Sequence, residues 1–378
     1  MTTSREYERS LLRGIARYSN LHGPWAFYTE PLFYRKVESQ RDIIVRFKKS
    51  GADGIVMREP KRIEEIMSLG LPTVVTPYSK GTIPGLINIV GDELKMGKMA
   101  AEHLLERGFQ NFAYCGFDDM FWSRNRGKSF ANSVIEAGFK IFVYEQPKSY
   151  SKRLWENEQN YMVDWLKSLP KPVGLMACND DRSQHVIDAC KIADIHIPEE
   201  LAVLGVDNDE FICKLANPPL SSIALSTENS AYKAAELLEK AMAGEKISDK
   251  IIVDQPTHVV TRQSTDILAI EDHEIAEAIR FIRNNFKKIT TVSDIINALT
   301  LSRRELERRF RRVLGRSILT EIRRVRVEGI KRMLLETNMA ISQIASEFGY
   351  SGPEHIARYF HEETGISPQK YRQNFSKR

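Results

Sequence analysis

The chain has 378 residues, of which 42% are hydrophobic and 28% charged, so two or three globular domains are expected rather than one. It contains no apolar run of about 18 residues or more, which excludes a transmembrane helix. The net charge of +5 is uneven: residues 273–378 hold 21 Lys and Arg against 12 Asp and Glu, a net of +9, and the rest carries −4. This asymmetry predicts a basic C-terminal module with an anionic partner, most simply nucleic acid.

The N-terminal residues and the cysteines indicate where the protein is located and whether it binds a metal. The opening "MTTSREYERS" is polar and lacks the apolar core of a secretory signal, so a cytoplasmic location is expected. The four cysteines show neither C-x-x-C spacing nor a cluster with histidine. We therefore expect buried, reduced thiols and neither a metal site nor a cofactor.

Apolar runs of strand type alternate with helical patterns over the first 260 residues. Such alternation predicts an α/β architecture with parallel sheets. In these sheets, ligands bind at the carboxyl ends of the strands. The predicted strands are Gly54–Met57, Pro72–Thr76, Ile87–Val90, Phe112–Gly116, Val173–Cys178 and Leu201–Val206.

Several segments of this region resemble the periplasmic-binding-protein-like sensor of LacI-type regulators, and they keep the same order over more than 200 residues. The resemblance implies a two-lobed sensor whose ligand enters a cleft between the lobes. The LacI-type N-terminal DNA-binding headpiece is not seen in this sequence, so we expect its role to lie in the C-terminal module. The matching segments are "GADGIVM", "LPTVVTPY", "GDELKMGKMAAEHLLERGFQNFAYCGF", "IPEELAVLGVDNDE" and "NPPLSSIALS".

Polar side chains at the predicted strand ends form a candidate sugar site. Asp207 and Asn208 follow "LAVLGV", and Asn179 and Asp180 follow "LMAC". A sugar requires carboxylates, amides and arginine for its hydroxyls, and one flat aromatic ring for its apolar face. Asp180 is alternatively a cap of the helix that follows it.

Two other segments supply further candidates for the sugar site. By the resemblance, Arg126 stands at the position of the family's sugar-binding arginine. Trp122, four residues earlier, is the best candidate for stacking on the sugar, with core packing as the alternative. Glu8 and Arg9, from the first loop, are expected to close the cleft.

The start of the chain departs from this fold. A sensor of this type opens with an apolar strand before the helix that contains Leu11, Leu12 and Ile15, but only polar residues precede that helix here. We therefore expect that the natural protein begins upstream and that this chain lacks its first strand, whose loss exposes neighbouring backbone groups. Proteomic mapping of the natural N-terminus to Met1 would contradict this expectation.

The segment "LSRRELERRFRRVLG", Leu301–Gly315, holds six arginines on a helical pattern. Its apolar residues form one stripe, so the arginines lie on the other faces. Ser302 and Glu305 predict a capping box at its start. The helical pattern "VSDIINAL" comes before it, separated by Thr300–Ser302, which is the layout of a helix-turn-helix unit. A solvated arginine-rich helix is the alternative.

The same pattern recurs in Ile341–Gly365. A short apolar helix is expected to end at Gly349, because glycine readily adopts positive φ. Ser351 and Glu354 form a second S-x-x-E and predict a second capping box. Ile318–Thr337 joins the two units as one long amphipathic helix. The repetition favours DNA binding over a solvated helix.

These residues resemble the AraC/XylS-type DNA-binding domain, which implies an all-α domain of seven helices with two recognition helices. The matches are "LSRRELERRFRRVLG", "IASEFGYSGPEHIARYF" and "TGISPQKYR". The resemblance implies contacts to base edges by Arg304, Glu307 and Arg308 of the first recognition helix and by Glu354, His355 and Arg358 of the second. Phosphate contacts are expected from Arg303, Arg311 and Arg312.

The second unit departs from the family pattern at several positions. His361 and Glu362 stand where basic residues are usual, so weaker phosphate contacts are expected there. Gly352 and Pro353 suggest a shorter second recognition helix. His355 is either a base reader or a packing residue.

A sensor followed by an AraC-type domain is the organisation of the xylose operon regulatory protein family, and the joint "VVTRQSTDILAIEDHEIAEAIRFIR" matches as well, with its R-x-S-T-D motif. We therefore predict a sensor in residues 1–262, a linker in 263–272 and a DNA-binding domain in 273–378. The resemblance implies a dimeric activator of pentose-utilisation genes that binds operator DNA and a sugar, D-xylose, and that has RNA polymerase as a further partner.

The sequence fits three other classes of protein less well. An enzyme is disfavoured because the sequence has no Walker loop, no G-x-G-x-x-G after a strand, no G-x-S-x-G and no H-E-x-x-H. A solute-binding receptor for transport is disfavoured by the basic C-terminal third. An architectural nucleic-acid binder leaves the sensor region without a purpose.

Overall fold

The computed structural model describes residues 5–28, 51–247, 249–270, 272–288, 291–299 and 301–375. Thr300 of the predicted turn, and the residues before Arg5 to which the missing-strand prediction refers, lie outside these ranges. The described residues divide into two compact units. The first unit takes its residues from Met1–Glu93, Phe117–Asn125 and Ser226–Gln255 and the second from Leu94–Gly116, Arg126–Leu225 and Pro256–Arg378.

The described strands are short, and six of them were predicted to within one residue at each end. In chain order they are β1 (Ile55–Arg58), β2 (Thr73–Thr76), β3 (Ile87–Gly91), β4 (Asn111–Cys115), β5 (Ile141–Val143), β6 (Val173–Ala177), β7 (Leu201–Val206), β8 (Ser221–Leu225), β9 (Ile251–Asp254) and β10 (Pro256–Val260). The sequence did not predict β5, β8, β9 and β10.

The helices of the first 260 residues flank these strands. They are α1 (Glu6–His22), α2 (Ile63–Met67), α3 (Glu93–Leu105), α4 (Phe121–Glu136), α5 (Trp155–Ser168), α6 (Asp180–Ala193), α7 (Glu210–Leu215) and α8 (Thr227–Met242). Seven further helices are described beyond the joint, the number that the AraC/XylS resemblance implied: α9 (His273–Asn284), α10 (Val292–Ala298), α11 (Arg303–Leu314), α12 (Ile318–Glu336), α13 (Ile341–Glu347), α14 (Pro353–Thr364) and α15 (Pro368–Phe375).

Each unit contains its own sheet. The first unit has the order β1-β2-β3-β9, with all its neighbouring strands parallel. The second has the order β10-β8-β7-β6-β4-β5, parallel throughout except for β10, which pairs antiparallel with β8 at one edge. The expectation of parallel sheets in an α/β fold is therefore confirmed. The carboxyl ends of β6 and β7 are adjacent, because these strands pair in parallel.

The core of the first unit forms between α1, α8 and the sheet. Leu11, Ile15 and Tyr18 lie one turn apart on α1 and are almost fully buried, as an amphipathic helix requires. Gly14, on the same face, lets α1 approach α8 closely, because a Cβ at this position would lie 2.1 Å from the carbonyl oxygen of Glu228.

The C-terminal helices belong to the second unit and bury two apolar cores. One core lies among α9, α10, α11 and the start of α12, around Leu306 and Phe310. The other lies among the rest of α12 and helices α13 to α15, around Phe348 and Phe360. The single helix α12 thus joins both helix-turn-helix units, as the sequence predicted.

None of the described helices is long and apolar enough to cross a membrane. The four cysteines are free and buried, as predicted.

Candidate functional site

The carboxyl ends of β6 and β7 bring four predicted sugar-site residues to one edge of the second sheet. After β6 and Cys178, Asn179 precedes α6 and Asp180 is its first residue, and Asp207 and Asn208 follow β7. Asn179 is the N-cap of α6, since its Oδ1 accepts a hydrogen bond of 3.0 Å from the backbone N–H of Arg182. Asn179, and not Asp180, therefore caps α6.

Asp180 connects three segments of the second unit. Its side chain is buried, and its Oδ1 accepts from the Ser222 hydroxyl at 2.6 Å and its Oδ2 from the Asp209 backbone N–H at 2.7 Å. Gly205 makes room for it, because a Cβ there would lie 2.2 Å from Oδ1. Burial raises the pKa of Asp180 to about 7, despite the opposing hydrogen bonds from Ser222 and Asp209.

Asp207 and Asn208 form a turn with two consecutive residues at positive φ, 104° and 50°. Such conformations cost free energy in residues other than glycine and are frequent at functional sites. The Asp207 N–H donates to the carbonyl of Ile223 at 3.0 Å, and the Asn208 N–H donates to the Ser222 hydroxyl at 3.0 Å. The turn is therefore fixed on β8 through its backbone, and both side chains are only partly buried.

Arg126 lies on α4 and reaches the same edge of the sheet. Its guanidinium is buried and donates to the carbonyl oxygen of Cys178, the residue between β6 and the Asn179 cap. Within the second unit, the structure therefore places the Arg126 guanidinium at the residue that precedes Asn179 and Asp180.

The other predicted sugar residues belong to the first unit. Trp122 is partly exposed, and its ring meets that of Phe117 edge to face, with centroids 6.5 Å apart. The prediction that Glu8 and Arg9 lie in a loop is wrong, because both are residues of α1. Glu8 is buried with its carboxylate 3.7 Å from the Arg58 guanidinium, and the Arg9 Nε donates to Glu6 at 3.2 Å.

Sequence reasoning assigned no side-chain role to Arg262, although it named the R-x-S-T-D motif that contains it. The Arg262 guanidinium donates to Asn208 Oδ1 at 2.8 Å and to the Leu220 carbonyl at 2.8 Å. It therefore orients one of the predicted sugar residues. The motif itself was the only signal for it in the sequence.

All nine predicted DNA-contacting residues have exposed side chains. On α11, Leu306 and Phe310 face the core, and Arg304, Arg308 and Arg311 lie on the opposite side at i, i+4 and i+7 spacing. Two pairs of opposite charge run along this surface: Arg303 with Glu307 at 3.0 Å and Arg308 with Glu305 at 2.7 Å. The exposed arginines outnumber these two glutamates, so the helix presents a cationic face.

The arginine of α11 that was not predicted to contact DNA has a structural role. The Arg309 Nε donates to the Asp272 carboxylate at 2.7 Å, and its NH1 lies 2.7 Å from the Glu274 carboxylate. These contacts attach α11 to the start of α9. Arginine count alone therefore overstates the cationic surface available to DNA.

The capping boxes predicted from the two S-x-x-E patterns do not form as expected. Ser302 accepts from the Glu305 N–H at 3.4 Å, but the Glu305 carboxylate binds Arg308 rather than completing the box. In the second helix-turn-helix, the N-cap of α14 is Gly352, and Pro353 is the first helical residue. The prediction for Ser351 is therefore wrong, because proline at the first helical position lacks only an N–H that needs no intrahelical partner.

The second recognition helix is not shorter than the first, contrary to the sequence-based expectation. Both α11 and α14 have 12 residues. Glu354, His355 and Arg358 are exposed on α14, and the His355 Nε2 lies 3.6 Å from a Glu354 carboxylate oxygen. The packing alternative for His355 is therefore not favoured, and its ring is accessible.

Known protein families match both the sensor region and the C-terminal region of the chain. A family model of a periplasmic binding protein-like domain matches residues 101–265, and a helix-turn-helix domain model matches residues 295–374. The xylose operon regulatory protein of Haemophilus influenzae is 29% identical over 98% of this chain and 96% of its own length. That of Escherichia coli K12 is 27% identical over 98% and 94%. A solved structure of the xylose-binding transcription activator XylR, 27% identical, covers 100% of this chain and 97% of its own, with a TM-score of 0.60.

The buried carboxyl of Asp180 predicts a specific dependence of stability on pH. Its pKa of about 7 in the folded state exceeds the ordinary value of about 3.9 for an unfolded aspartate, so the folded state retains a proton that the unfolded chain has released. The associated stabilisation is complete below pH ~4 and is lost as the pH rises to about 7. Relative to Asp180→Asn, the wild type should lose up to roughly 3 kcal/mol of unfolding free energy over this interval.

Urea denaturation of both proteins at several pH values between 4.5 and 7.5 measures this difference. Asp181→Asn removes the same charge from the same turn of α6 and serves as the control, because its curve should run parallel to that of the wild type. Parallel curves for the wild type and Asp180→Asn would show that Asp180 is ionised throughout.

Proposed function

Because this chain belongs to the family of xylose operon regulatory proteins, we propose that it regulates transcription by binding D-xylose in its sensor and an operator through its C-terminal helices. The observation that carries this proposal is that one chain combines the sensor fold with two helix-turn-helix units whose predicted base-reading residues are all exposed. It is a regulator and not an enzyme, as its relatives are regulators.

The proposed sugar contacts come from residues that the fold already orients. Asn179, Asp207 and Asn208 offer amide and carboxylate groups at one sheet edge, and Arg126 offers a buried guanidinium. Asp180 has both oxygens engaged by neighbouring segments, so we assign it to holding this edge in place rather than to contacting the sugar. Trp122 supplies the aromatic face, and Glu8 and Arg9 act from α1.

The proposed DNA contacts divide by their chemistry. Arg304 and Arg308 on α11 and Arg358 on α14 read base edges, because a guanidinium binds guanine O6 and N7 in a bidentate manner. Glu307, Glu354 and His355 lie on the same exposed surfaces and complete the readout. Arg303, Arg311 and Arg312 bind phosphates and set affinity and its salt dependence.

The regulatory cycle follows from differential affinity. Xylose favours the sensor conformation that binds it better, and only that difference drives the switch. We propose that the protein acts in the cytoplasm as a homodimer, that each C-terminal domain reaches an operator half-site, and that the bound dimer activates transcription through RNA polymerase. The activator role is supported by the description of the related solved structure as a xylose-binding transcription activator.

Sugar binding is tested first by thermal stability. D-xylose should raise the melting temperature of the wild type, because a ligand that binds only the folded state stabilises by RT ln(1 + [L]/Kd), roughly 2.7 kcal/mol at a hundredfold excess over Kd. Arg126→Ala should lose this shift, whatever its melting temperature without sugar. Differential scanning fluorimetry against a panel of pentoses and hexoses measures both.

The matched control is Arg124→Ala, which removes an exposed arginine from the same helix and should keep the xylose shift. A panel in which no sugar shifts the wild type would contradict the proposal, as would an Arg126→Ala protein that responds like the wild type. Chemical analysis of xylose after long incubation should recover it unchanged, and its conversion to a product would favour an enzyme.

Operator recognition is tested by replacing one exposed arginine. Arg304→Ala should lose roughly 1–3 kcal/mol of discrimination between the operator and operators with single base changes, because a bidentate contact to a base edge contributes that much. Binding titrations at fixed salt, with xylose present, measure the ratio of the dissociation constants. Xylose affinity should be unchanged.

Two further arginine variants distinguish the loss of a base contact from the loss of positive charge. Arg280→Ala removes an exposed arginine of α9 in the same basic domain and should leave the ratio unchanged. Arg311→Ala should weaken binding to all sequences alike and lower the salt slope by about 1. If Arg304→Ala keeps full discrimination, the first recognition helix reads bases through other residues.

A further inference from the structure

The joint between sensor and DNA-binding domain is bonded to the edge of the sheet that carries the predicted sugar residues. Ser264 and Thr265 are fully buried. The Ser264 hydroxyl donates to the Val203 carbonyl of β7 at 2.7 Å and accepts from the Ser221 N–H of β8 at 2.8 Å. A displacement of β7 and β8 would therefore also move the joint.

A directional series of hydrogen bonds runs through the joint. Burial, together with the nearby Arg107 charge, holds the pKa of His103 well below its usual range, so its ring is neutral. Arg107 NH1 lies 3.1 Å from the His103 Nδ1, which must accept because a guanidinium only donates. The His103 Nε2 then carries the proton and donates to the Thr265 hydroxyl at 2.9 Å.

The hydrogen bonds beyond Thr265 continue the series as far as Asn208. The Thr265 hydroxyl donates to the Ser221 hydroxyl at 2.7 Å, and that hydroxyl donates to the Arg262 carbonyl at 2.8 Å. The Arg262 guanidinium in turn donates to Asn208 Oδ1. The C-terminal end of α3 is thus connected to Asn208 by buried or part-buried hydrogen bonds in which every hydroxyl donates once.

The end of α3 also contacts the DNA-binding domain directly. The Glu106 carboxylate lies 2.5 Å from Arg324 NH1 of α12, and the Glu106 carbonyl accepts from Arg283 of α9 at 3.3 Å. The Arg107 carbonyl accepts from the Ala269 N–H at 2.8 Å. Gly108 completes the contact, because its φ of +81° and the side chain of Ile270, 2.4 Å from a Cβ placed there, both require glycine.

Arg324 is held on α12 by a second carboxylate. Glu321 is fully buried and binds Arg324 at 2.8 Å and Arg316 at 2.7 Å. Burial opposes its ionisation, but the two arginines outweigh burial and lower the pKa of Glu321 to about 2. Arg324 therefore stays in a fixed position on the helix that joins both helix-turn-helix units, and Glu106 contacts it there.

The geometry points to a relay in which the Glu106–Arg324 pair positions the DNA-binding domain according to the state of Asn208. This inference rests on the proposed function, since it requires that sugar binds at Asn208 and alters operator affinity. A sugar hydroxyl that donates to Asn208 Oδ1 shares this acceptor with Arg262 and weakens the hydrogen bond from the guanidinium. The loosened guanidinium shifts the joint, and α3 carries the shift to α12. Neither Glu106 nor Arg324 touches sugar or DNA in this relay; both are positioning residues.

The test is a linkage measurement on full-length protein with D-xylose and an operator duplex. The coupling factor is the ratio of operator dissociation constants without and with xylose, and it equals the factor by which operator changes xylose affinity. Glu106→Gln, which keeps the size of the side chain, should lower this factor at least fivefold. The xylose dissociation constant of the DNA-free protein should stay within about twofold of the wild-type value.

The control is Glu102→Gln on α3, one turn before Glu106. Among the described residues, the Glu102 carboxylate forms an exposed pair with Lys98 at 3.9 Å, so this change should leave the coupling factor unchanged. A double-mutant cycle with Arg324→Gln completes the test. If the pair acts as one link, Glu106→Gln combined with Arg324→Gln loses no more coupling than the stronger single variant.

The outcomes separate the relay from the proposed function. A wild type whose operator affinity ignores xylose overturns both. A wild type with normal coupling, and a Glu106→Gln protein that matches it, overturns the relay alone. Additive losses in the cycle also overturn it, because they place Glu106 and Arg324 on independent routes. Loss of xylose binding in Glu106→Gln assigns the residue to sensor folding and overturns its positioning role.

Discussion

The buried carboxyl of Asp180 is the constraint on which both the candidate sugar site and the joint depend. Its oxygens are engaged by neutral donors, among them the Ser222 hydroxyl of β8 and the Asp209 N–H after β7. Burying such a group is costly unless its hydrogen bonds are complete, so the ends of these strands are held in a fixed arrangement. Asn208 is positioned by the same Ser222, and Arg262 reaches the Asn208 side chain from the joint.

The basic C-terminal third uses its arginines for two different purposes. Arg309 and Arg324 bind carboxylates within the domain, and Arg326 donates to the carbonyls of Phe286 and Phe348, whose side chains both pack in the second core. Others, such as Arg304, are exposed on recognition helices. The net positive charge of this region therefore indicates that its partner is an anion. Burial and pairing with carboxylates decide which arginines can contact that partner.

The sequence predicted those elements whose signal is local. Apolar runs located β6 and β7, and with them the strand-end positions of Asn179 and Asn208. It did not predict β8, because the buried hydroxyls of Ser221 and Ser222 look like loop residues until their partners, which lie 41 and 42 residues away, are known. The role of Arg262 was missed for the same reason. The predicted cap at Ser351 failed through a local competitor, Pro353, which starts the helix one position later than a serine cap requires.

The joint acts as a packed element rather than a flexible tether. A flexible segment of ten residues has ends separated by roughly 15–20 Å with wide variation, which would absorb a displacement of the sensor. Here a second contact also secures the DNA-binding domain: the Tyr371 hydroxyl donates to the Thr257 carbonyl at 3.0 Å, and His258 lies 3.2 Å from Glu336. Glu106–Arg324 contacts the domain near its first core, and these bonds contact it near the second. Because both halves are held, the proposed relay carries a shift of the strand ends to both recognition helices together, and these few contacts set how far it changes operator affinity.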